Sequence, residues 1–161
     1  QVWTFSWNGA SWDQVERWQD RCPDVTLNNS EHPGALVDLL SQTRVFIASC
    51  NATSFLESFA IDVPTIMFWN PDHWELSEGV SPFFKSLVEA GILHYSPTSA
   101  AHKLSEIWDD VDRWWSSDLV TVARTRFCDS YNQSPPDLVS KVARALKNAL
   151  HAPQQSSSYS G

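Results

Sequence analysis

The sequence predicts an α/β domain: a Rossmann-like parallel sheet with helices on both faces, followed by C-terminal helices. Three observations predict it. Short β-branched and aromatic runs alternate with helical ones along most of the chain. The runs 44–49 and 63–69 lack the polar alternation of a strand with one wet face, as expected of strands covered on both sides. Each of the two leads into a polar turn or loop and then a helix, which is the βαβ order of a parallel sheet.

The elements follow in order. Residues 1–7 alternate Val2, Thr4 and Ser6 with Trp3, Phe5 and Trp7, the period of a strand with one buried face. Asn8-Gly9 breaks that run, and Ser11 or Asp13 is placed to cap a helix over about 12–21 that carries Trp12, Val15 and Trp18 on one stripe and stops before Pro23. A second short strand is expected at 25–27, a polar loop at 28–34, and a short helix at 35–41 with Leu36, Leu39 and Leu40. After the strand 44–49 and the turn Cys50-Asn51-Ala52, residues 53–61 read as a helix with Phe55, Leu56 and Phe59 facing inward. The strand 63–69 begins with Pro64, tolerated at an entry where the missing N–H is not needed.

Beyond a loop at 70–75, a helix is expected over 81–90, with Pro82 in its first turn and Gly91 as its stop. Residues 92–95 read as a last strand. Ser96-Pro97 then opens a long helical region ending near Trp115, because Ala100, Leu104, Ile107, Trp108 and Val111 keep a helical period. Helices at 118–131 and 136–150 complete a single domain over 1–150, and the Ser-rich stretch 151–161 reads as a disordered tail.

Composition narrows the function classes. With 42% hydrophobic residues, nine tryptophans and eight phenylalanines, all but the tail has the means to pack. A net charge of −8 repels the phosphates of nucleic acid and the anionic face of a membrane, so no nucleic-acid partner is expected. No apolar run approaches the length of a membrane span, and no signal peptide is recognisable. Cys22, Cys50 and Cys128 are odd in number and form no CxxC pair, which favours a reduced, cytoplasmic setting and no metal site. The chain opens on Gln1 and its one methionine is Met67, from which further residues upstream are expected.

In open α/β sheets ligands lie beyond the carboxyl ends of the strands, so the loops after Ser49 and after Trp69 are where a site is expected. The turn containing Ser49, Asn51, Thr53 and Ser54 runs from a strand into a helix, whose first N–H groups favour a phosphate. Asn51 or Thr53 capping that helix is the competing structural reading. Glu57, one turn further on, is placed to accept both hydroxyls of a ribose; equally, Ser54 with Glu57 has the spacing of a capping box. On the second loop, Asn70, Asp72, His73 and Glu75 are candidates for contacts to donor hydroxyls or phosphate, with His94 and His102 behind His73. The run Asp109-Asp110-Val111-Asp112 reads as a solvated helix face rather than a metal site. The tryptophans read as core and interface residues, with Trp69 or Trp74 a possible sugar platform.

The segment from Ala48 to Ile66, with its Ser/Thr-rich turn, Glu57 and Pro64 in order, resembles the donor-site segment of GT-B glycosyltransferases. The stretches from Pro64 to Leu76, Ala90 to His94, Ser99 to Ala101, Ile107 to Trp115 and Arg126 to Cys128 resemble a transferase family associated with surface-polysaccharide clusters. The resemblance implies the donor-binding half of a two-domain enzyme that moves a sugar or related group from a nucleotide-activated donor, with no cofactor. Ser49, Asn51, Thr53 and Ser54 then match the diphosphate turn and Glu57 the ribose carboxylate, while no catalytic residue is assigned to this chain, which alone is expected to be inactive. Three positions depart from the pattern: Cys50-Asn51-Ala52 lacks a glycine, Asp62 stands where glycine often ends the helix, and Ser77 replaces an arginine before Glu78. A noncatalytic nucleotide- or partner-binding module, or a polyol-phosphate transferase, is the alternative.

Overall fold

The computed structural model describes residues 2–3, 13–28, 36–133 and 137–151. The expected tail lies, from residue 152 on, outside the described residues, as do Ser11 and most of the first strand. The chain forms two compact units, Gln1–Leu39 and Leu40–Gly161. In the first, β1 (Val2–Trp3) pairs in parallel with β2 (Leu27–Asn28), and α1 (Gln14–Arg21) lies between them in sequence. Asp13 precedes α1 in the left-handed region at φ 50° and makes no side-chain cap, so the expected capping bond is absent at that residue. Near the junction, α2 (Leu36–Leu40) turns Leu40 inward.

The second unit carries the predicted parallel α/β architecture. Strands β3 (Phe46–Ala48), β4 (Thr65–Phe68) and β5 (Leu93–His94) lie side by side in that order, with Ala48 opposite Met67 and Phe68 opposite His94. The two crossovers join successive neighbours in the same direction across the sheet, so a common hand places their helices on one face. Accordingly α3 (Ser54–Ala60) and α4 (Ser81–Glu89) share one core with α7 (Asp118–Tyr131), through Phe55, Phe59, Phe84, Leu87 and Phe127. The helix after β5, α5 (Pro97–Ile107), packs with α6 (Val111–Trp115) on the opposite face, around Ile66, Ala100, Ile107 and Val111. Period-2 alternation on β4 does the sorting, since Met67 enters the first cluster and Ile66 the second. Thr65 is buried with its hydroxyl shared between Ser58 Oγ at 2.8 Å and the Val63 carbonyl at 2.7 Å, so no polar group is stranded there.

Three expectations are corrected. Strand β3 is not covered on both faces: Ile47 is 45% exposed, because β3 is an edge of the described sheet and α5 packs on β4 and β5. The long helix expected from Ser96 to Trp115 is broken at residues 108–110. Asp110 caps the new helix α6 by accepting from the Arg113 N–H at 3.2 Å, so the acidic run is a helix junction rather than one helix face. The first turn of α3 carries no side-chain cap from Thr53, leaving the Thr53 cap and the Ser54–Glu57 capping box without a bond.

Other local signals hold. Ser96 caps α5, its hydroxyl accepting from the Ser99 N–H at 3.2 Å. Gly91 ends α4 at φ 69°, and an added Cβ there would sit 3.0 Å from Lys103 Cε. Gly91→Ala is therefore expected to destabilise the fold by about 1–2 kcal/mol, read as a lower thermal midpoint; an unchanged midpoint would contradict the left-handed turn. The last helix, α8 (Leu138–His151), exposes Leu138, Val139, Val142 and Leu146.

Candidate functional site

Because β3, β4 and β5 run parallel, the residues after Ala48, Phe68 and His94 share one edge of the sheet. Both loops singled out from the sequence leave from that edge. On the first, Ser49 and Thr53 are exposed, while Asn51, Ser54 and Glu57 are half-buried. The turn is tightened by the Ala52 N–H donating to the Cys50 carbonyl at 3.0 Å, and α3 starts with the Leu56 and Glu57 N–H groups on the Thr53 carbonyl. The N–H groups of Thr53, Ser54 and Phe55 meet no acceptor among the described residues. Nor do the side chains of Ser49, Asn51, Thr53, Ser54 and Glu57 have a hydrogen-bond or ion-pair partner there. Those side chains and the three N–H groups are thus uncommitted among the described residues, while the Cys50 and Thr53 carbonyls are engaged.

The second loop is more occupied with itself. Asn70 Oδ1 accepts from the Asp72 N–H at 3.0 Å and opens a 3-10 turn, Pro71–His73, while its amide nitrogen meets no partner among the described residues. Asp72, His73 and Glu75 are exposed. The two tryptophans flanking the loop differ: Trp69 is 4% exposed and meets Phe84 edge-to-face, whereas Trp74 is 38% exposed. Trp69 is a core residue, and of the two only Trp74 presents a ring to solvent. Among the described residues no cluster of three or more His, Cys, Asp or Glu side chains is arranged to hold a metal ion.

At the third strand end the structure brings together a pair that the sequence reading did not join. His94 Nδ1 lies 2.8 Å from Ser99 Oγ and Nε2 lies 3.1 Å from the Gly91 carbonyl. The signal was present in Ser96-Pro97, which fixes the first turn of α5 and with it the position of Ser99. Burial holds the His94 imidazole below its ordinary value; the bond to Gly91 opposes this and the charge of Lys103 adds to it.

Residues 4–146 match the model of the LIC12162 family transferases. The chain belongs to that family. For the LIC12162 family chain described here, no curated protein and no solved structure matches. Membership of that family implies transfer of a group from a donor to an acceptor. Among the described residues of this LIC12162 family member, no helix is long and apolar enough to cross a membrane.

Proposed function

We propose that the chain is the donor-binding part of a glycosyltransferase-like enzyme of GT-B type, using a nucleotide-activated sugar in surface-polysaccharide synthesis in the cytoplasm. The observation that carries this reading is the uncommitted turn 49–57 at the carboxyl edge of a parallel sheet, in a chain of a transferase family. The free N–H groups of Thr53, Ser54 and Phe55, with the hydroxyls of Ser49, Thr53 and Ser54 and the Asn51 amide, take the diphosphate; Glu57 takes the ribose hydroxyls. As the glycosidic bond to the diphosphate breaks, negative charge gathers on the leaving oxygen, and donors already in place stabilise it without reorganisation. Asn70, through its amide nitrogen, and His73 reach the sugar or phosphate from the neighbouring loop. The acceptor and the catalytic base belong to an upstream domain, and neither a metal nor a cofactor is needed.

The test is Glu57→Ala. A carboxylate that accepts ligand hydroxyls contributes about 1.5–3 kcal/mol, so calorimetric titration with UDP, GDP, CMP and CDP is expected to find one nucleotide bound about 10- to 100-fold more weakly by the variant. The thermal midpoint should stay put, since Glu57 makes no capping bond. Equal affinity in both proteins, or binding of none of the four, would remove the basis for the proposal and favour a noncatalytic module.

A further inference from the structure

We propose that Ser99 and His94 form a reactive centre of their own, a nucleophilic hydroxyl with its general base, able to take an acyl group from an activated ester. The inference goes beyond donor binding and does not rest on it. The Gly91 carbonyl can only accept, so the proton of the neutral imidazole sits on Nε2 and donates to it at 3.1 Å. That leaves the lone pair on Nδ1, and the Ser99 hydroxyl, 2.8 Å away, donates to it. The backbone carbonyl thus fixes the tautomer and ring orientation, the part a third group plays in nucleophile–base–orienter arrangements. Ser99 is exposed, and the pair stands at the carboxyl end of β5. The Thr98 N–H, in the same first turn of α5, meets no acceptor among the described residues and can receive a developing oxyanion.

The step balances without any further reactant. Ser99 Oγ attacks the ester carbonyl carbon as its proton passes to His94 Nδ1. The tetrahedral intermediate collapses with cleavage of the bond to the leaving oxygen, which takes the proton from Nδ1 and departs as the alcohol. Acyl-Ser99 is then attacked by water, which gives a proton to Nδ1; collapse returns that proton to Ser99 Oγ and releases the carboxylic acid. Other exposed serines provide the internal comparison: Ser105 and Ser130 donate their hydroxyls to the carbonyls of Ala101 at 3.0 Å and Arg126 at 3.3 Å, acceptors that cannot take the proton.

The chain is incubated with p-nitrophenyl acetate, and acetylated serines are mapped by mass spectrometry over time. Ser99 is expected to be acetylated about 100-fold faster than Ser105 or Ser130, the usual contribution of a positioned general base. Ser99→Ala should abolish the rapid release of p-nitrophenol, and His94→Gln should bring Ser99 down to the rate of Ser105. Should His94→Gln not fold, the comparison of the three serines within the wild-type chain still decides. Acetylation of Ser99 no faster than of Ser105 overturns the proposal, and undiminished Ser99 acetylation in a folded His94→Gln variant overturns the role given to His94.

Discussion

Phe127→Ala is expected to lower the stability of the larger unit by about 3–5 kcal/mol, measured as a shift of the urea midpoint at unchanged slope. The side chain is 3% exposed, and its ring lies 5.9 Å from Phe55, 6.1 Å from Phe59, 5.2 Å from Phe84 and 5.3 Å from Tyr131, centroid to centroid. Those rings come from α3, α4 and α7, so truncation opens a cavity where all of them meet and removes the edge-to-face contacts to Phe59 and Phe84. Phe127→Leu keeps most of the volume and should lose less than half as much. A loss below about 1 kcal/mol for the alanine variant would mean that the three helices do not close on this ring.

Asp62→Ala is expected to destabilise by about 3 kcal/mol through two separate causes. At φ 59° the residue sits in the left-handed region, which aspartate tolerates and alanine does not, at about 1–2 kcal/mol. Its carboxylate also accepts from Trp115 Nε1 at 2.8 Å and pairs with Arg124, whose guanidinium stacks 4.3 Å from the Trp115 ring. Burial depresses the affinity of Arg124 for its proton, so leaving that cation without its partner is unfavourable. The 71% exposure of the Asp62 side chain tempers the gain from the ion pair. Asp62→Gly should therefore lose about 2 kcal/mol, keeping the backbone and losing the partners, and Asp62→Asn about 1 kcal/mol, keeping both the turn and one acceptor. Thermal or urea melts of the three variants test this order; a glycine variant as stable as the parent would remove the carboxylate from the account.

How much of this was legible depends on whether the signal is local. Pro64 at a strand entry, Gly91 after a helix and Ser96-Pro97 before one are local chemistry, and the structure follows them. The common edge of the two candidate loops was legible too, because parallel strands put successive carboxyl ends on one side. The break at residues 108–110 was not, since Ile107 and Val111 keep helical spacing across it and only the bond from the Arg113 N–H to Asp110 reveals a new start. The exposure of Ile47 depends on which strand lies at the edge, a tertiary fact with no trace in the run around it. For the candidate site, Ser54 and Glu57 have the spacing of a capping box, and geometry alone distinguishes a carboxylate that caps from one left without a partner. His94 and Ser99 stand five positions apart across a change from strand to helix, where neither period aligns them.

Ile66 and Met67, neighbours on β4, are rooted in different apolar layers, and both are wholly shielded from solvent. Pulling either layer away would strip water-averse surface from the same four-residue strand. Loosening the helices on one side therefore weakens the grip on the other, and with it the hold on the strand end from which the loop with Asn70 and His73 departs.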